Sequence, residues 1–191
     1  AGDNRVELAR ALTDVPADQR EAMQFLIDNM PAVDLATLKA EFLLGHVAQT
    51  YEVMAAAPWA ALVPNEIFLN DVLPYASLNE VRDNGRPKLR EIAAPLVKDC
   101  RTPGEAAQAL NQKLFGIVNV KYSTRRKKPD QSALESMASG VATCSGLSIL
   151  LVDACRAVGI PARVAGTPMW TNMRGNHTWI EVWDLSLIHI S

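Results

Sequence analysis

The sequence predicts an α+β fold, on three observations. The first hundred residues carry helical periodicity almost throughout. A later stretch, Cys144 to Val158, is apolar on nearly every side. Two segments rich in β-branched and aromatic residues follow it, Ala162 onward and His177 to Trp183. A helix that is apolar all round belongs at the centre of a domain. The expected architecture is therefore a helical N-terminal region followed by a core in which one buried helix packs on an antiparallel sheet.

The elements follow in order. Asn4-Arg5-Val6-Glu7 has the form of a capping box, with Val6, Ala9 and Leu12 at helical spacing behind it. Pro16 opens a second helix, whose stripe of Met23, Leu26, Ile27 and Met30 stops at Pro31. A third is expected from Asp34 to about Ala57, and Pro58, Pro64 and Pro74 break the chain after it into short pieces. His46, among apolar residues, reads as a packed or surface histidine and not as a ligand. Asp83-Asn84-Gly85 is a turn signal. Thr102 to Glu105 and Ser132 to Glu135 are two more capping boxes, the first with Pro103 at the opening helical position and the second ending at Gly140. Between them Ile117 to Tyr122 reads as extended.

Composition narrows the function. With 49% hydrophobic and 21% charged residues the chain is globular, and its 191 residues suffice to bury a core. A formal net charge of −2 gives no general attraction to nucleic acid or anionic membrane. The run Arg125-Arg126-Lys127-Lys128 lacks interleaved aromatics and reads as a solvated loop. No apolar run is long enough to cross a bilayer. There is no signal-peptide pattern at the start, and Ala1 leaves both a cytoplasmic location and export with a leader open. Three cysteines are too few for a disulfide framework.

Cys144 follows Thr143, an N-cap type, and so falls in the first turn of the buried helix, where unpaired N–H groups and the positive dipole end favour thiolate. Those N–H groups also suit an oxyanion. On this helix alone Cys144 reads equally as a nucleophile and as a small buried residue. Cys155 lies eleven residues on, about 16 Å away along the helix, and is expected to be an inert core thiol. Cys100 has ordinary surroundings. His177 opens a strand-like segment downstream, and an imidazole facing a helix-start cysteine is the arrangement that activates a thiol.

The segments GVATCSGLSILLVDACRAVGIPARV and NHTWIEVW together resemble the transglutaminase-like superfamily of bacteria. The resemblance covers about 85 residues and rests on three segments in order. These are a Cys at the start of a buried helix, a Gly-Ile-Pro-Ala-Arg turn, and a His opening a His-x-Trp-x-Glu-Val strand. It implies a papain-type fold, Cys144 as nucleophile, His177 as base, and acyl chemistry on amides of proteins or peptides without metal or organic cofactor. The alternative is a catalytically inactive binding or scaffolding module of the same fold.

The superfamily's third catalytic member is an acid on the strand after the one bearing the histidine. Strand alternation sets Asp184 on the face opposite His177, and places Glu181 on the same face but about 13 Å along. Asn172 and Asn176 are the remaining polar neighbours. Leu185 to Ser191 matches the translation of a transposon end used as a sequencing adapter, so it is expected to be a non-native tail on a gene fragment cut after Asp184. The expected domains are 1–99, helical; 100–184, an incomplete transglutaminase-like core; and 185–191, the tail. A core so cut is expected to leave an open edge on the His177 strand, with Trp179 or Trp183 exposed. Leu187, Ile188 and Ile190 are available to pair with that edge, and the fragment is expected to self-associate and to be nearly inactive.

Overall fold

The computed structural model describes residues 2–169, 171, 175–184 and, for the backbone alone, 187–190. Leu185, Ser186 and Asn172 lie outside the described residues. The chain divides by packing into two units, Ala1–Ala56 and Ala57–Ser191.

The first unit is made of four helices: α1 (Arg5–Asp14), α2 (Arg20–Asn29), α3 (Ala32–Thr37) and α4 (Ala40–Ala56). Buried Leu8, Ala11, Met23, Leu26, Leu43 and Val47 join them, each large side chain contributing roughly 1.5–3 kcal/mol over its exposed state. Two expectations are corrected here. Asn4 stands at the N-cap of α1 but makes no capping bond. Its amide donates instead to the carbonyls of Leu35 (3.1 Å) and Leu38 (2.8 Å). Glu7 accepts from the Ala40 N–H at 2.9 Å. The box residues are thus spent on the break between α3 and α4. That break is the second correction, because one helix was expected from Asp34 to Ala57. Leu38 is extended (φ −70°, ψ 138°), and the Asn4 and Glu7 bonds supply partners for backbone groups that a continuous helix would satisfy internally. His46 is buried, with its ring stacked on Phe42 at 6.2 Å.

The second unit begins with short pieces: 3₁₀ Ala60–Leu62, α5 (Asn65–Ile67) and a π-helical turn Phe68–Val72. The Asx-type bond from the Gly85 N–H to Asp83 Oδ1 (3.0 Å) makes the expected turn. Then come α6 (Arg86–Val97), α7 (Pro103–Ile117), α8 (Ala133–Ser139) and α9 (Cys144–Arg156). Thr102 caps α7 through Glu105 N, although Glu105 reaches back to Arg101 N and not to its cap residue. Ser132 and Glu135 form a complete capping box on α8, and Gly140 ends it in the left-handed conformation (φ 69°). The expected strand from Ile117 is shorter than read: α7 runs through Ile117, and only Lys121–Tyr122 (β1) is strand. β1 pairs in parallel with β2 (Val141–Ala142).

β3 (Ala162–Thr167), β4 (His177–Trp183) and β5 (Leu187–Ile190) form an antiparallel sheet in the order β3-β4-β5. α9 is the central helix. Its Leu150, Leu151, Val152, Ala154 and Cys155 share one core with Leu89 and Ala93 of α6, Leu110 and Leu114 of α7, and Ile180 and Val182 of β4. The structure is thus α+β, mostly helical with small sheets, as the sequence predicts. The segment 57–99, assigned by sequence to the N-terminal region, packs with the second unit: Trp59, Leu89, Ala93 and Val97 belong to the same core as α9. One edge of β4 pairs along its length with β3, and the other pairs from Ile180 to Trp183 with β5, the pairing for which Leu187, Ile188 and Ile190 are available. The exposure expected of Trp179 or Trp183 is corrected: Trp183 is buried and Trp179 half-buried.

Candidate active site

The site is built where β2 hands over to α9. Thr143 is extended (φ −90°, ψ −175°), and the Leu147 N–H closes the first helical turn on its carbonyl at 2.9 Å. The Thr143 hydroxyl makes no capping bond. The first-turn N–H groups have no partner within the helix itself, and the N-cap side chain supplies none. Cys144 itself is half-buried.

The lead-in is held from below. Gln131, 1% exposed, donates its amide to Ser139 Oγ (3.0 Å) and to the Val141 carbonyl (3.2 Å). Ser139 Oγ donates to the same carbonyl at 2.8 Å. Gly146 lies so close that a Cβ there would meet the Ala142 Cβ at 2.9 Å. The glycine two places after Cys144 thus lets β2 and the helix start touch.

The other two cysteines are chemically quieter. Burial pushes the Cys155 thiol up to about 12, with Asp153 adding to the shift against the opposing Arg156 charge. Cys100 is also raised, first by burial and then by Glu105 and Asp99. Both shifts disfavour thiolate at neutral pH.

His177 is the first residue of β4, opposite Thr167 of β3. Its ring stacks on Trp179 with centroids 5.9 Å apart, as residues two apart on a strand can. Glu181, on that same face, is held by Arg163 through two contacts of 2.9 Å. Thr178, Ile180 and Val182 alternate to the other face, where Ile180 and Val182 enter the α9 core. Thr178 Oγ1 lies 3.3 Å from Ser145 Oγ. Cys144 and His177 are thus each one residue before a member of this contact, which brings the start of α9 to the start of β4. Asn176 is exposed.

Sequence reasoning missed the polar residues that hold these elements. Gln131 and Ser139 sit in the capping region of α8 and carry no spacing signal. Thr178 is legible only by strand parity once His177 has been chosen. Arg156, at the end of α9, is 3% exposed and donates to the carbonyls of Asp71, Ala162, Pro74 and Ala76 and to Ser77 Oγ. Among the described residues no group of three or more His, Cys, Asp and Glu side chains is placed to hold a metal ion, and no helix is long and apolar enough to cross a membrane.

A central helix begun by cysteine and packed on an antiparallel sheet, one strand of which begins with histidine, defines the papain-type class of α+β proteins. Residues 90–187 match the family model of the transglutaminase-like superfamily, and the chain belongs to that superfamily. Its members are typically cysteine-dependent enzymes that act on protein substrates. No curated protein matches the chain. Among solved structures, a candidate cysteine protease from Cytophaga hutchinsonii is 19% identical with a TM-score of 0.47, covering 56% of this chain and 37% of its own. The periplasmic domain of TgpA from Pseudomonas aeruginosa, bound to ethylmercury, is 18% identical with a TM-score of 0.44, covering 65% of this chain and 47% of its own. The chain therefore spans less than half the length of either.

Proposed function

We propose that this protein acts as a cysteine-dependent acyl-transfer enzyme on amide bonds of proteins or peptides, with Cys144 as nucleophile and His177 as its acid–base partner. The observation that carries the reading is the placing of Cys144 at the uncapped start of the central helix, one residue from the Ser145–Thr178 contact that brings in the histidine strand. The thiolate adds to the amide carbonyl, and first-turn N–H groups of α9 donate to the oxyanion. Collapse breaks the C–N bond and leaves a thioester on Cys144, while the proton held by His177 goes to the departing amine. Water or a second amine then attacks the thioester, and Cys144 leaves as thiolate. Alternation gives the face that meets Ser145 to Thr178 and not to His177, so catalysis by this pair requires the His177 ring, at the first position of β4, to turn round the end of the strand toward Cys144.

The test is site-resolved alkylation. Iodoacetamide rates for Cys144, Cys100 and Cys155, followed by mass spectrometry from pH 5 to 9, should be highest at Cys144 and should fall when His177 is replaced by Ala. Equal rates at all three thiols in the folded protein would reject Cys144 as the nucleophile. A selectively reactive Cys144 without acyl transfer to water or amine would favour the binding or scaffolding module.

A further inference from the structure

We infer that the loop following β1 makes this site selective for acidic polypeptides, with Arg125 and Lys127 placed to meet carboxylates flanking the target amide. The inference rests on the Cys144 reading above and adds a substrate class to it. It starts from the ladder of β1 and β2, which is parallel: Lys121 pairs with Val141 and Tyr122 with Ala142, and the Ser123 N–H bonds the Ala142 carbonyl at 2.8 Å. Two parallel strands leave their ladder in the same direction. One continues through Thr143 into Cys144, and the other runs into Thr124 and Arg125. Chain length alone keeps Arg125 within about 22 Å of Cys144 even if the two diverge at once, and a parallel departure brings it nearer.

Charge is concentrated there against the trend of the chain. Residues 121–128 hold five of the 19 Lys and Arg residues of a protein whose net charge is −2. Only part of this charge is neutralised. Lys128 pairs with Glu135 at 2.8 Å, and the Arg126 guanidinium donates to the Thr124 carbonyl at 3.2 Å. Lys121, Arg125 and Lys127 are exposed and make no ion pair among the described residues. The loop is braced by its own backbone, the Arg125 N–H bonding Ser123 Oγ at 3.1 Å. Tyr122, 63% exposed, offers an aromatic face beside it. Unpaired cations within that chain-length distance of a nucleophile raise the local concentration of anionic substrate, and the effect weakens as salt screens it.

The experiment compares two alkylating agents of similar size and different charge. Rates of iodoacetate and iodoacetamide at Cys144 are measured by mass spectrometry on the full chain and on R125E/K127E, at about 10 mM salt, where the screening length of about 30 Å exceeds the separation. The ratio of the two rates cancels any change in thiolate population. It should fall about threefold in the double variant, and the difference should vanish at about 0.5 M salt. Peptides with glutamates flanking the target amide should lose kcat/KM in the same variant, and peptides with neutral flanks should not. Fast alkylation of Cys144 with the same reagent ratio in both proteins would overturn the inference alone. Slow alkylation of Cys144 by both reagents would overturn the nucleophile reading and this inference with it. Retention on single-stranded DNA that the double variant loses, with an unchanged reagent ratio, would overturn it in favour of nucleic-acid contact.

Discussion

At its C-terminal end α9 is clamped: Arg156 is buried and donates to five acceptors, four of them carbonyls, from the loop after α5 and from β3. At its N-terminal end the same helix is left open, with a half-buried cysteine and a cap residue whose hydroxyl bonds nothing in the first turn. The clamped end carries Cys155, whose thiol is pushed up to about 12; the open end carries the cysteine read as the nucleophile. The contrast shows that a buried helix can go without a side-chain cap at one terminus. The other terminus and the apolar flanks hold it in place.

The largest effect that would break this comparison is chemical. Cys144→Ala should lower amide-directed activity at least about 10³-fold while shifting stability by less than about 1 kcal/mol, because the side chain is only half-buried. Activity assays and urea denaturation on the same samples check both halves. The opposite signature belongs to the clamped end. Arg156→Met removes one charge from a buried cluster and leaves its carbonyl acceptors unpaired, which should cost about 3–5 kcal/mol. The midpoint of denaturation should drop sharply, and a drop below about 1 kcal/mol would mean that water replaces the guanidinium.

Smaller effects sharpen the picture at the strand that brings His177. A Cβ on Gly166 would meet the His177 carbonyl at 2.8 Å, a backbone atom that cannot swing aside. Gly166→Ala should therefore destabilise by about 1–3 kcal/mol and slow Cys144 alkylation by displacing the start of β4. The last effect concerns pH. Burial raises the Asp153 carboxyl from 3.8 to about 7, against the opposing Arg156 charge. Its folded value lies above its unfolded one, so its contribution is fully present below about pH 4 and is lost as pH rises toward 7. The stability difference between Asp153→Asn and wild type should thus shift in favour of the variant over that window. A difference that does not change with pH would refute the assignment.

Much of the α9 end was legible in the residues themselves. The all-round apolar run from Cys144, the Gly159 stop, the alternation from His177 and the box at Ser132 each express a local rule of periodicity or capping. What escaped was tertiary use of polar side chains. Asn4 and Glu7 have the spacing of a capping box but bind the α3–α4 break, to partners 31 to 34 residues away in sequence. Helix α6 carries Pro95 inside it, and its Leu89, Ala93 and Val97 stripe is short and depends on α7 and α9 for burial. The apolar run Leu187, Ile188 and Ile190 marked a partner for β4, but not its register, in which Ile180 faces Ile190 and Trp183 faces Leu187. Alternation fixes the face of a residue but not its register against a neighbour.

Trp59 donates its indole N–H to the Gly159 carbonyl at 2.7 Å, a buried link across 100 positions of chain. The consequence is one of order in time. The pairing of α6 with α7 and the β3–β4 hairpin each join neighbours in sequence and can form early. The Trp59 link closes a loop about the length of a small domain, and the closure entropy must be met before the bond returns anything. Refolding should therefore end with the indole entering the core: a late change in tryptophan fluorescence that follows the recovery of far-UV helix signal and disappears in Trp59→Phe.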